Sequence, residues 1–377
     1  MRLAIVTALI ATTSLLPSQK KAAVLDNQWG DNGQRENEIG LFSTRPRGAP
    51  LDIPAIKHGL KWLTDNQQPD GHWPCEHSKD ASVAVTSLCL LAVLGNGSTM
   101  RRGPHKNQIK RAASWLMTQQ KESGAFADGT GPHLLATLAM MESYCLSDYK
   151  LLRKTAAKGF QYAAALRSAD GGWRASPEEE SSDPSLTVWG TMMLATASEA
   201  NVAAKNESYT GVFDWLRSTK ANLAPHSGVL GVAVPMVRQA ELAYDQSAAN
   251  GFTLCWLALT PSNPTELATM QADAAIIREH ALTRARALPR IWKQNPRYKL
   301  SINEWFLSSH ALAQAGDKKA VEKITEALTK QQSTDGDDKG SWQPIGVWGE
   351  AGGRTWTTAM AVLTLEAPFR YAKIVGR

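Results

Sequence analysis

Two hydrophobic patterns alternate along this chain. In the first, one face is apolar and the rest polar: Ile53, Ile56, Leu60 and Leu63 recur at helical spacing, with Lys57, Lys61 and Asp65 between them. In the second, a helix-length run is apolar on nearly every side, as in Ala81 to Leu94, Pro132 to Leu146, Leu186 to Ala197, Phe252 to Leu259, Trp305 to Ala315 and Thr355 to Leu365. A helix of the first kind can lie on the outside, whereas one of the second kind must be enclosed. Start signals support both. Asp183-Pro184 and Gly131-Pro132 offer Pro at the first helical position, and Asn263-Pro264 with Glu266 offers a cap, a Pro and a capping-box carboxylate. Gly95 and Gly316 serve as stops. No segment carries the regular alternation of a sheet strand followed by a hairpin turn.

The segment joining the two kinds of helix repeats. Trp62-Leu63, Gln67 and Asp70-Gly71-His72-Trp73 return as Trp115-Leu116, Gln119, Gly124 and Phe126, then as Tyr162 and Asp170-Gly171-Gly172-Trp173. A fragment recurs at Phe213-Asp214-Trp215-Leu216, and a full version stands at Leu328, Gln331-Gln332, Asp335-Gly336, Gly340 and Trp342. The period is about fifty residues, enough for two helices and their turns. Six enclosed helices alternating with six amphipathic ones close into a double ring, so the expected fold is all-α, an α/α-toroid. Closure removes the bare ends that an open solenoid must cap. The pattern is least regular from about 221 to 250, with Pro225, Gly228 and Pro235, and the fifth outer helix (Glu266 to Arg286) lacks the Trp turn.

The toroid is expected over residues 52–377. Before it, residues 24–51 lack apolar periodicity and read as a linker. Residues 1–23 read as a signal peptide: Arg2, an apolar stretch from Leu3 to Leu16, then Pro17-Ser18-Gln19, although Lys20-Lys21-Ala22-Ala23 is an imperfect cleavage site. The stretch is too short to span a bilayer, so a secreted or periplasmic protein without a transmembrane anchor is expected.

Composition narrows the function classes. Of 377 residues 43% are hydrophobic and 20% charged, which excludes a disordered chain. Lys+Arg 41 against Asp+Glu 35 leaves +6 spread along the chain, with no Lys/Arg block, so no nucleic-acid partner is expected. Cys89, Cys145 and Cys255 lie in apolar runs as reduced thiols rather than in a disulfide scaffold. Trp, at 13 against Phe 7 and Tyr 7, must serve a repeated structural role.

With Gln-x-x-Asp-Gly-x-Trp in view, residues from about 52 to 371 resemble the terpenoid cyclase and protein prenyltransferase superfamily, whose Gln-Trp repeats join outer to inner helices of toroids. The stretch Gly349-Glu350-Ala351-Gly352-Gly353-Arg354-Thr355-Trp356 is similar to the last repeat of uncharacterised bacterial relatives of squalene cyclases. The resemblance implies that the Gln amide serves free backbone groups at helix ends, that the Trp stacks on it, and that Gly supplies the left-handed turn. It assigns these roles to Gln67 with Trp73, Gln119 with Phe126, Ser168 with Trp173, and Gln332 with Trp342.

The chemistries of that superfamily fit the residues poorly. A cyclase acid must be kept protonated by burial within Asp-x-Asp-Asp. Asp335-Gly336-Asp337-Asp338 spells it, but inside a repeat turn where water ionises all three acids. A prenyltransferase needs Zn²⁺ held by an Asp, a Cys and a His. The one cluster of ligand types, His72-Trp73-Pro74-Cys75-Glu76-His77, is too tightly spaced, so neither metal nor cofactor is expected. The Cys-Gly-Glu-Gln run of a thioester domain and the Gly-x-Ser-x-Gly elbow of a hydrolase are absent. Lyase chemistry on an acidic polysaccharide would call on His133, Arg297 and Tyr298.

Parallel inner helices bring their N-termini to one rim, where dipoles and free N–H groups favour anions or electron-rich groups. The residues at or near those starts are Asp80, His133, Asp183, Trp189, Glu304, Trp305, Arg354 and Trp356. Each also has a structural role to offer: Asp80 and Asp183 as caps, the three Trp as core, Arg354 as partner of Glu350 or Glu304. The sequence therefore points to an exported toroid that acts as a binding or interaction module for an apolar small molecule or a protein partner. The alternatives are an enzyme acting on an isoprenoid and, after that, an acidic-polysaccharide lyase.

Overall fold

A computed structural model describes residues 53–75, 79–176, 178–202, 207–218, 301–344 and 346–370, with positions 252–253, 279, 281–283, 285–290 and 293. Residues 1–23 and 24–51, expected as a signal peptide and a linker, lie outside these residues, as do the 221–250 stretch, Cys255, Arg297 and Tyr298. Outer helices are α1 (Pro54–Asp65), α3 (Lys106–Gln119), α5 (Lys150–Ala165), α7 (Glu207–Ser218) and α9 (Lys318–Thr329). Inner helices are α2 (Lys79–Gly95), α4 (Thr130–Ser147), α6 (Pro184–Glu199), α8 (Ile302–Ala315) and α10 (Gly346–Glu366). The fourth inner helix, expected at Phe252 to Leu259, and the fifth outer helix, expected at Glu266 to Arg286, lie outside the described residues except at single positions.

The two hydrophobic patterns become two kinds of burial. α1 buries one stripe (Ala55, Ile56, Gly59, Leu60, Leu63) and α9 another (Ala320, Val321, Ile324, Leu328). In α4 every residue from Thr130 to Ser147 is buried. That helix starts two residues before Pro132, which still falls in the first turn, where its missing N–H costs nothing. Around the inner ring α8 packs on α10, α10 on α2, α2 on α4 and α4 on α6. α8 and α10 run in register: Ser309 Oγ donates to Thr364 O (3.1 Å) and His310 Nε2 lies 3.3 Å from Leu363 O. Phe252 packs its ring on Phe306 and His310 of α8. The ring closes because α10 packs on both α1 and α2. Among the described residues there is no strand, and no helix is long and apolar enough to cross a membrane.

The C-terminal ends of the inner helices form the base of the ring. There Arg101 donates through Nε to Ser147 O and through Nη2 to Asp148 O, and Arg153 donates to Asn201 O, each serving carbonyls at the end of the next inner helix. Arg370 reaches further in. Its Nη1 donates to Leu91 O (2.7 Å) and Glu366 Oε2 (2.8 Å), and its Nη2 to Glu142 Oε2 (2.7 Å). All three side chains are at most 2% exposed. Burial pushes the Glu366 carboxyl up to about 8, with Arg370 opposing and Glu142 adding to the rise. Burial and the nearby Arg370 charge push His310 down to about 3. Three inner helices are thus tied at the base by one guanidinium.

Candidate functional site

The N-terminal ends of the inner helices form the opposite rim, shaped by the repeat turns. In the first turn the Gln67 amide donates to Gly71 O (2.8 Å), its own turn, and to Gln108 O (3.0 Å) in the next outer helix, and its Oε1 accepts from Arg111 (2.7 Å). The Trp73 indole donates back to Leu63 O (2.7 Å), while its backbone N–H donates to Thr86 Oγ1 (3.0 Å) of the following inner helix. In the last turn Gln332 donates to Gly340 O and Ala55 O (both 2.8 Å), the Trp342 indole to Leu328 O, and Trp342 N to Thr358 Oγ1. The partner Ala55 belongs to α1, so the joint that links neighbouring repeats also seals the ring. Gly71, Gly124, Gly171 and Gly340 all have φ between 93° and 107°. A Cβ at each would run into the backbone of the next outer helix, at Arg111, Lys158, Gly211 and His58. Only Gly meets both demands.

The two middle turns correct the sequence assignments. Gln120, not Gln119, donates to Gly124 O (3.2 Å) and to Thr155 O (2.9 Å) of the next outer helix; Gln119 turns back to Trp115 O and Thr118. In the third turn Arg167, not Ser168, reaches Gly171 O (2.8 Å), its guanidinium 5.0 Å from the centre of the Trp173 ring. Burial lowers its pKa to about 10. Trp173 repeats the other contacts, to Ala163 O and Thr187 Oγ1. Phe126 has no indole N–H, and here His133 takes part. Its Nδ1 accepts from Phe126 N (3.1 Å), which leaves the proton on Nε2 to donate to Gly159 O (3.0 Å). Burial pushes this histidine down to about 4.

Most of the rim candidates are engaged in holding these turns. Asp80 Oδ2 accepts from Asp128 N (2.9 Å) and Gly129 N (2.8 Å), bridging α2 to the turn before α4. Asp183 caps α6 by accepting from Leu186 N (3.0 Å). Arg354 begins the enclosed stretch of α10, just after a break at Gly353 (φ 73°). Its partners are neither Glu350 nor Glu304: it donates to Ser341 Oγ (3.0 Å) and pairs with Asp338 (2.9 Å), since the turn folds back over the helix start. That places one acid of Asp335-Gly336-Asp337-Asp338 against a cation, and all three acids are exposed. Glu304, Trp305 and Trp356 are fully buried. No group of three or more His, Cys, Asp or Glu side chains is arranged to hold a metal among the described residues.

Between α6 and α8 lies a notch of about 10 Å³, lined by Ser185, Trp189, Asn303, Phe306 and Leu307. It holds no more than one water-sized group. Trp189 stacks on Phe306 with centroids 5.3 Å apart and forms its apolar wall. Asn303 is 4% exposed, and neither its amide nitrogen nor its amide oxygen has a hydrogen-bond partner. Leaving such groups unpaired costs about 1 to 3 kcal/mol. Of the eight rim candidates only Trp189 lines this notch. Asn303 stands one residue before Glu304 and was not singled out by pattern, because a polar residue in the first turn of a helix is ordinary.

No family model matches this chain, and no curated protein matches it significantly. Solved structures do. A type II terpene cyclase, MstE from Scytonema, superposes with a TM-score of 0.51 at 14% identity, over 83% of this chain and 97% of the cyclase. The α-1,6-mannanase GH76A from Salegentibacter gives 0.54 at 9% identity, over 84% and 98%. The fold is an α/α-toroid. An α-amylase from Clostridium perfringens shares it, with a TM-score of 0.52 at 9% identity over 86% of this chain and 99% of that one. Since the toroid serves enzymes of unrelated substrates, function here must be argued from the site.

Proposed function

We propose that this toroid is a binding module whose ligand seats a hydrogen-bonding group in the notch at Asn303, and that it performs no reaction of its own. The unpartnered Asn303 amide carries this reading. It offers one donor and one acceptor beside the Trp189–Phe306 wall, which suits a ligand that presents a hydroxyl or amide group next to an apolar surface. Groups that could have served as acid, base or anion clamp at the rim are committed to the fold: both nitrogens of His133, the Asp80 and Asp183 carboxylates, and the Arg354–Asp338 pair.

The test has two arms. Protein purified from its host is extracted and the extract analysed by mass spectrometry, which should reveal a bound molecule with a hydroxyl or amide group. Asn303→Leu should lose that molecule while gaining stability, because the unpaired amide is gone, by about 1 to 3 kcal/mol. A product formed from an isoprenoid substrate, and lost in Asp337→Asn, would overturn the module reading in favour of a cyclase. The signal at residues 1–23 makes export part of the proposal; N-terminal sequencing of the protein recovered outside the cytoplasm is its check.

A further inference from the structure

Charge is divided between the two ends of the ring. Around the rim the turns carry more acidic than basic side chains, Glu122, Glu178 to Glu180, Asp335 and Asp337 against Lys121 and Lys339. The base presents Arg101 on the loop from α2 to α3, Lys106 at the start of α3, and Lys150 and Lys154 at the start of α5, all exposed. Helix dipoles do not call for this division, because the outer helices run opposite to the inner ones and offset them at both ends. On the same basic face stand Tyr149 and Leu151, at 47% and 54% exposure the large hydrophobic residues left most open among the described residues. Arg101 donates to the carbonyls of Ser147 and Asp148, which fixes the basic loop beside that pair.

We infer that the base docks on an anionic lipid surface. Lysines at the start of α5 would meet lipid phosphates, Leu151 would enter the boundary of the acyl region, and Tyr149 would sit at headgroup level with its ring in the apolar layer and its hydroxyl in water. An acidic protein would answer the charge but would leave these two exposed side chains needing a matched pocket, whereas a bilayer accepts them wherever they enter. The inference is independent of what the rim holds, since the notch lies at the other end of the inner helices.

The experiment is co-sedimentation of the intact protein with vesicles of phosphatidylcholine alone or mixed with phosphatidylglycerol, at low ionic strength. Binding is expected only to the mixed vesicles, weakening as salt is added. One basic side chain near an anionic leaflet strengthens binding roughly fivefold, so Lys150→Glu/Lys154→Glu should weaken it more than about tenfold. Tyr149→Ser/Leu151→Ser should also weaken it, and both variants, changed only at exposed positions, should keep the wild-type circular dichroism and Tm. The inference fails if wild-type protein stays in the supernatant with mixed vesicles, if it binds neutral vesicles equally, or if either double variant binds as the wild type does. Retention on a polyphosphate resin without vesicle binding would reassign the face to an acidic macromolecule and overturn the lipid reading.

Discussion

The rim and the base hold the same inner helices together with different physics. At the rim, the core of each described Trp joint is a pair of neutral hydrogen bonds, indole to a backbone carbonyl and backbone N–H to a Thr hydroxyl, and because those groups recur from repeat to repeat the joint can be copied: Trp73, Trp173 and Trp342 make the same two bonds each. At the base, the central fastening is a single charged cluster, Arg370 between Glu142 and Glu366, assembled from residues far apart in the chain. Buried charge has to be balanced group by group, so it cannot be tiled around a ring. A copied joint has counterparts elsewhere in the ring, whereas the unique one has none.

The sharpest break of this contrast is Arg370→Ala. Two buried carboxyl groups and the Leu91 carbonyl lose the guanidinium that donates to them, so urea unfolding at neutral pH should show a loss of about 3 to 5 kcal/mol. Trp73→Ala should cost a similar ~3 to 5 kcal/mol as a buried Trp truncation. His133→Asn should cost only about 1 to 2 kcal/mol, since the new amide oxygen can still accept from Phe126 N while the bond to Gly159 O is lost.

The buried histidines and Glu366 should separate by pH. His133 and His310 have folded values of about 4 and 3, below the ordinary 6.5, so the stability they give is full above pH 6.5 and is lost as pH falls toward those values. Glu366 has a folded value of about 8, above the ordinary 4.5, so its contribution is full below pH 4.5 and is lost as pH rises through 8. Between pH 6.5 and 8 only Glu366 among these three acts, with a slope of up to about 1.4 kcal/mol per pH unit. Denaturation midpoints across that window should flatten in Glu366→Gln, while His133→Asn should flatten the acid side instead. The smallest effect is expected at the rim. Asp337→Asn should shift stability by less than about 0.5 kcal/mol, because only its backbone carbonyl is used, accepting from the Trp62 indole.

What could be read in the sequence follows the same division. The alternation of striped and fully apolar helices announced the ring, and Trp73, Trp173 and Trp342 marked its turns, because a copied joint leaves a periodic trace. The residue that serves each of the first three turns follows the spacing from the aromatic, not the residue type. Trp62 stands five residues before Gln67, and the same count from Trp115 and Tyr162 leads to Gln120 and Arg167. Arg354 could not be paired by proximity, since its partner Asp338 comes back to it through the fold of the turn. The base cluster and the bare Asn303 amide left no trace at all: Glu142, Glu366 and Asn303 are polar residues in otherwise apolar helices, and their meaning depends on which helix faces which.

The seal between the last turn and the first outer helix, Gln332 to Ala55 and Gly340 against His58, uses the same parts as the first two internal joints, Gln67 to Gln108 with Gly71 against Arg111 and Gln120 to Thr155 with Gly124 against Lys158. Nothing in this seal marks α1 as the first helix of the ring. A circular permutant that joins the end of α10 to the start of α1 and opens the chain between α2 and α3 should assemble the same toroid, with the old termini serving as one more inner-to-outer connection.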